Sequence, residues 1–192
     1  MADPAQRAMT LYEFLQWEDG TDTRYELVGG FPMAMNPPLE GHRILAMRLA
    51  ARIDAALSAR RPCNVQTEAG VLNPDRADTF FVADLGVTCA PYDRRRQYLQ
   101  DPILIVEILS RGTERHDRRV KLPAYRGITS VQEILFLDSD EPYAELHRRH
   151  ASGWLTELMR GLDAVLWLAS VGIEIPMSEL YDGFTFDDQP SA

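Results

Sequence analysis

The stretch Asp101-Pro102-Ile103-Leu104-Ile105-Val106-Glu107-Ile108-Leu109, with the basic segment Arg111 to Arg126 behind it, decides how the 192-residue chain is read. From Ile103 to Leu109 the length and the β-branched or Leu composition are those of a strand buried on both faces. Glu107 breaks the pattern. An ionised carboxylate there is costly unless it is paired or holds a cation, so it marks an ion pair or a metal site. The cations follow at once: Arg111, Arg115, Arg118, Arg119, Lys121 and Arg126 stand against only Glu114 and Asp117, in a chain of net charge −9. Lys121 is the only lysine in the protein, every other basic side chain being Arg.

Working outward, Thr79 to Thr88 reads as a second such strand. It alternates in part, with Phe81, Ala83, Leu85 and Val87 on one face and Phe80, Val82, Asp84, Gly86 and Thr88 on the other. Asp84 therefore interrupts an apolar strand as Glu107 does. The intervening loop, Ala90 to Gln100 with Arg94-Arg95-Arg96, is expected to be mobile or to face a substrate. If the two strands are neighbours, the carboxylates repel each other unless a cation lies between them. Oxygen ligands favour Mg²⁺ or Mn²⁺, with the Ile108 carbonyl as a further ligand. Lys121 is placed to orient, and to deprotonate, a metal-bound water, because an ammonium can release its proton and a guanidinium effectively cannot. The competing reading of Asp84 and Glu107 is burial in ion pairs with arginines.

The remaining elements follow from period and punctuation. Thr10-Leu11-Tyr12-Glu13 is a capping box that opens a short helix, expected to end near Gly20. Arg24 to Val28 and Phe31 to Met35 form a hairpin about Gly29-Gly30. Leu45, Leu49, Ile53 and Leu57 stripe a long helix from about Leu39 to Ala59. Strands follow at Cys63 to Leu72 and Val131 to Asp138, with a helix over Thr113 to Tyr125 that Pro123 must kink or limit in its regular part. Tyr143 to His150 and Trp154 to Met159 form a hairpin. Val165 to Ile175 is strand-rich and Met177 to Tyr181 a short helix, while the tail Asp187 to Ala192 is expected to fray. Strands alternating with a few helices give an α/β or α+β domain with a central mixed sheet. Its length suits one domain over 1–192, with a core from about residue 10 to 182.

Composition excludes other classes. No apolar run approaches the ~20 residues of a membrane span, and no export signal is visible, so a cytoplasmic protein is expected. The acidic balance argues against a passive nucleic-acid coat but not against an enzyme that confines its positive charge to one cleft. Cys63 and Cys89 are too few for a four-thiolate zinc site and are read as reduced strand residues, with a single disulfide as the alternative. His147 and His150 fall on opposite faces of a strand and make poor joint ligands. His116 and Asp117 read as charge partners or phosphate contacts.

An ordered set of motifs adds to this. Arg24-Tyr25-Glu26-Leu27-Val28-Gly29-Gly30 comes first, then Asn36-Pro37-Pro38 with His42, then Val82-Ala83-Asp84. Ile105-Val106-Glu107-Ile108-Leu109-Ser110 and Asp117-Arg118-Arg119-Val120-Lys121-Leu122, with Tyr125 and Gly127, complete it. From about Leu11 to Tyr181 the chain resembles the Uma family of restriction endonucleases, in the PD-(D/E)xK nuclease superfamily. The resemblance implies a restriction-endonuclease-like fold, a central mixed sheet flanked by helices, with a divalent-metal site at Asp84 and Glu107. Three positions depart from the pattern. Ala83 stands where a proline usually precedes the aspartate. Leu109 occupies the commonest lysine position, so the lysine moves to the next helix as Lys121. Arg111-Gly112 replaces a proline-containing turn.

The expected activity is metal-dependent DNA endonuclease. Asp84, Glu107 and the Ile108 carbonyl would bind Mg²⁺ or Mn²⁺, Lys121 would position water, and Glu26 would help hold water or a second ion. His42 could face the cleft beside Glu26. Arg111, Arg115, Arg118 and Arg119 would face the phosphates of double-stranded DNA. A homodimer would let two copies of one site cut both strands. The alternative is a catalytically silent nuclease fold that binds nucleic acid or a protein partner.

Overall fold

Residues 7–186 are described by a computed structural model, and their elements follow the hydrophobic periods of the sequence. First come α1 (Leu11–Phe14), the hairpin β1 (Tyr25–Val28) and β2 (Phe31–Ala34), and the long helix α2 (Glu40–Leu57). Next are β3 (Asn64–Leu72), β4 (Phe80–Thr88), β5 (Pro102–Leu109), α3 (Glu114–His116) and α4 (Leu122–Gly127). Then follow β6 (Glu133–Asp138), β7 (Tyr143–His150), β8 (Gly153–Arg160), β9 (Val165–Leu168), β10 (Ile173–Pro176) and α5 (Met177–Leu180). The tail expected to fray lies outside the described residues. No helix among those described is long and apolar enough to cross a membrane.

Eight strands form one mixed sheet in the order β2-β1-β4-β5-β6-β7-β8, with β3 added on β4. Among the described strands only β5 and β6 run parallel, Glu107 lying opposite Phe136. β9 and β10 form a separate hairpin sheet. The alternation of β5 divides the core. Leu104, Val106 and Ile108 pack with the α2 stripe of Leu45, Leu49, Ile53 and Leu57, whereas Ile105 and Leu109 pack with Leu122 and Tyr125. The two-residue turn of the first hairpin takes positive φ at both Gly29 (60°) and Gly30 (85°), which glycine adopts without steric cost.

The feature that positions the site is an opening in this sheet. β3 runs along one edge of β4, from Asn64 opposite Thr88 to Leu72 opposite Phe80, with one pair missing at Asp84. Its other edge is shared: β5 pairs only from Thr88 to Leu85, and β1 only at Phe80. Between those contacts, residues 81–84 of β4 meet no strand on that side. Backbone groups facing such an opening need other partners, and charged side chains supply them.

Three expectations change and a fourth is refined. Helix α1 stops at Phe14, with Leu15 as its C-cap. The expected single face of Phe81, Ala83, Leu85 and Val87 divides at Asp84, because Leu85 and Val87 join the cluster under α2 while Phe81 and Ala83 join the opposite one. Its cause lies on β3, where Glu68 has φ of 51° and the Glu68–Asp84 pair drops out of the ladder. The regular part of the helix after β5 is limited, by a π-helical turn at Asp117–Lys121 placed before Pro123. Finally, Cys63 and Cys89 form a disulfide that joins the start of β3 to the end of β4.

The loop from Ala90 to Gln100 is anchored at its far end. The Leu99 amide donates to the Gly70 carbonyl (2.8 Å), and Leu99 is buried over Gly86. At Gly70 a Cβ would strike the Gln97 carbonyl oxygen and come within 2.5 Å of the Phe80 ring. Gly70→Ala is therefore expected to lower unfolding free energy in urea by about 1–3 kcal/mol, the usual range for overpacking. An unchanged midpoint would mean that the loop rests loosely on β3.

Candidate active site

The opening in the sheet is filled by side chains from four elements. Glu26 on β1 accepts a hydrogen bond from the Val82 amide at 2.9 Å through Oε1. The same oxygen lies 2.8 Å from Lys121 Nζ, which donates in turn to the Val82 carbonyl at 3.2 Å. Lys121 also reaches Glu107 Oε1 at 3.1 Å and Asp117 Oδ1 at 3.4 Å. Its side chain is only 6% exposed. From the other side, Asp84 Oδ2 accepts from the Ile108 amide at 2.6 Å, closing the gap between β4 and β5. In a strand the N–H and C=O of one residue point to the same side, so the Ile108 carbonyl also turns toward Asp84.

The π-helical turn sets the lysine's position. A π-turn bonds i to i+5, and the Leu122 amide accordingly donates to the Asp117 carbonyl. Proline at position 123 has no amide to offer an ordinary i→i+4 bond, so the irregularity falls where one bond is already missing. Asp117 and Lys121 both end up buried against the sheet. One turn on, the Tyr125 hydroxyl donates to Glu107 Oε1 at 2.6 Å, its ring set edge-on to Phe81.

The cluster is short of positive charge. Glu26, Glu107 and Asp117 share one lysine, while Asp84 Oδ1 lies 3.1 Å from His42 Nε2 and Glu26 Oε2 lies 3.3 Å from His116 Nε2. Burial raises Glu107 well above the ordinary carboxylate value, Lys121 offsetting only part and Asp84 and Asp117 adding to the rise. Asp117 is raised for the same first reason, its burial. Glu26 is also pushed up by burial, but His116 and Lys121 outweigh that and leave it below its usual value. Burial alone would lower Lys121; Glu107, Glu26 and Asp117 reverse the direction and raise it. The ammonium therefore keeps its proton.

The chain matches the family described as "Putative restriction endonuclease" (Uma2) over residues 11–178. It belongs to that family. An uncharacterized protein of Synechocystis sp. is 28% identical over 176 residues, 91% of this chain and 92% of that one. A crystal structure from Anabaena variabilis, titled a "putative nuclease" of DUF820, superposes with a TM-score of 0.71 at 20% identity. That superposition covers 90% of this chain and 97% of the other, and it shows a shared fold.

In this Uma2 protein Lys121 lies within hydrogen-bond distance of Glu26 and Glu107, and Asp84 meets the Ile108 amide beside them. Among the described residues no three His, Cys, Asp or Glu side chains converge as a ready-made metal cage. A site of two carboxylates, one carbonyl and water does not need one, and the shortage of positive charge suits a divalent cation. His42 pairs with Asp84 rather than Glu26. The arginines part company: Arg115 and Arg119 are exposed, Arg111 reaches Asp140, and Arg118 is bound to Glu114 and Glu145 above the Phe136 ring. Sequence reasoning gave no role to Tyr125 and underrated Asp117. The i,i+4 spacing of Asp117, Lys121 and, past the π-turn, Tyr125 was the available signal.

A pH dependence follows for the metal-free protein. Since Glu107 is raised above 4.5, its contribution to stability is intact below about pH 4.5 and is lost as pH rises through the raised value. Glu107→Gln keeps an acceptor for Tyr125 and removes that titration. Urea unfolding from about pH 5 to 8 is expected to show a flatter stability profile for the variant than for the parent. Parallel profiles would mean that Glu107 does not change its protonation between those limits.

Proposed function

We propose that this protein is a divalent-metal-dependent endonuclease that hydrolyses phosphodiester bonds of double-stranded DNA. The observation that carries this reading is the convergence of Asp84, Glu107, Glu26 and the lone lysine where β4 parts from β1 and β5. Membership of the Uma2 family and the nuclease-like fold support it. Asp84, Glu107 and the Ile108 carbonyl would hold Mg²⁺ or Mn²⁺. Bound there, the ion would polarise the phosphate and activate a water.

The chain's own residues divide the remaining work. Lys121, held in its protonated form, donates toward the attacking water or a phosphate oxygen and so positions rather than deprotonates. Glu26 fixes Lys121 and the Val82 backbone, and Tyr125 fixes the Glu107 carboxylate. Arg115 and Arg119, exposed on the same helical segment, are the best placed for phosphate contacts, while Arg118 is already committed to two carboxylates. A homodimer would present two such sites to the two strands of a duplex, and sedimentation at micromolar concentration is expected to find it; a monomer would remove the paired-cut arrangement.

A second reading, a nuclease fold kept only for binding, is favoured by one observation: Lys121 and Glu107 already satisfy each other. Two sets of variants separate the readings. Asp84→Asn and Glu107→Gln are expected to lose Mn²⁺ binding by calorimetry and to lose cleavage together. Lys121→Arg keeps the charge but must fit a planar fork into a slot built for one ammonium, so cleavage is expected to fall about 10²–10³-fold, the range for a misplaced preorganised donor. Unchanged Mn²⁺ affinity in both carboxylate variants, or full cleavage by Lys121→Arg, would contradict these assignments.

A further inference from the structure

Beyond Thr88 the molecule has a polar recess outside the cluster around Lys121. A cavity of about 520 Å³ lies between the disulfide-joined ends of β3 and β4 and the Ala90–Gln100 loop. That volume falls in the ordinary range for a small-ligand site. Its lining combines three kinds of chemistry. Arg61, Arg94 and Arg96 bring positive charge against Asp93 alone, in a chain of net −9. Tyr92 and Tyr98 supply rings, 80% and 36% exposed respectively, which is far more than a structural tyrosine of the core shows. Asn64 and Gln66 bring amides to the same wall.

These groups are held in place. The Gln66 amide donates to Asn64 Oδ1, and the Asn64 amide donates to the Pro62 carbonyl, both at 2.9 Å. Arg96 is tied across the loop by donation to the Pro91 carbonyl at 3.3 Å. The loop itself is anchored by Leu99 on Gly70. Arg61 leans on Asp54 at 3.4 Å, whereas Arg94 is exposed and has no ion-pair partner among the described residues.

Arginine for phosphate, an aromatic face for a base and an amide for a base edge is the combination by which proteins hold a nucleotide out of its stack. Thr88 is four residues from Asp84 along β4, roughly 13 Å at ~3.3 Å per residue. A duplex crosses that span in about four base steps, at 3.4 Å per step. We infer that the cavity walled by Tyr92, Tyr98 and Gln66 takes one unstacked nucleotide of the substrate strand, with Arg94 on its phosphate, and so makes the enzyme sensitive to unpaired bases near the cut. This rests on the nuclease reading and adds a preference for substrate structure that the reading does not contain.

Binding in Ca²⁺, without turnover, tests it. The probes are a short single strand, a blunt duplex of the same sequence, and that duplex with one unpaired nucleotide. For the parent, the unpaired nucleotide is expected to raise affinity about tenfold, the effect of one base–aromatic stack. Tyr92→Ala and Tyr98→Ala should abolish that gain, Arg94→Glu should weaken all three probes, and Mn²⁺ binding should stay at the parent's level in every variant. A parent that binds duplex without any preference, or tyrosine variants that keep it, overturns this inference and leaves the nuclease reading standing. No binding of any probe by the parent overturns both. A free nucleoside monophosphate that binds in a Tyr98-dependent way while all strands bind variants and parent alike overturns the strand assignment in favour of a soluble ligand.

Discussion

One ammonium group stands where three parts of the backbone would otherwise come apart. β1 is joined to β4 by a single register pair, and β5 leaves β4 at Leu85. Lys121 spans the interval by meeting Glu26 from β1, the Val82 carbonyl on β4 and Glu107 on β5. Removing one partner from a buried charge cluster of this kind costs about 3–5 kcal/mol, since the others stay desolvated and unpaired. An opening in a sheet is a structural liability, and here it is tolerated because the groups that fill it satisfy the exposed backbone. Those same groups form the proposed catalytic set.

The cluster also explains the local irregularities. Asp84 can reach the Ile108 amide because the ladder skips its pairing with Glu68, so β4 changes which core its side chains enter at that residue. The π-turn at Asp117–Lys121 brings an acid and the lysine to the sheet together. Backbone departures of this kind recur at functional sites, where surrounding structure holds them in place. Tyr125 then fixes one oxygen of Glu107, leaving an acid held high by burial and poised to gain from a nearby cation.

Much of this was legible in the residues. Glu107 stood out because nothing else in Ile103 to Leu109 is polar, and the stripe of α2 and the Gly29-Gly30 turn were carried by local periods. Lys121 stood out by being alone. The face switch in β4 was not legible, since its cause is the backbone of Glu68, a residue whose neighbour in space is fixed only by long-range pairing. Proline 123 signalled a disturbed helix correctly, but not that the disturbance would be an i→i+5 turn placed before it. The disulfide needed the β3–β4 register to bring Cys63 beside Cys89, and two thiols in a sequence carry no such information. Tyr125 was hidden for a similar reason: a hydroxyl reaches Glu107 only once the helix is seated on the sheet.

The most direct test of the central claim is a crystal structure of the protein grown or soaked with Mn²⁺, read by anomalous scattering. The account predicts one strong peak bounded by Asp84, Glu107 and the Ile108 carbonyl, with Lys121 still in contact with Glu26. Saturating Mn²⁺ with no peak there, and Lys121 and Tyr125 unmoved on Glu107, would contradict it and leave the cluster as a purely structural ion network.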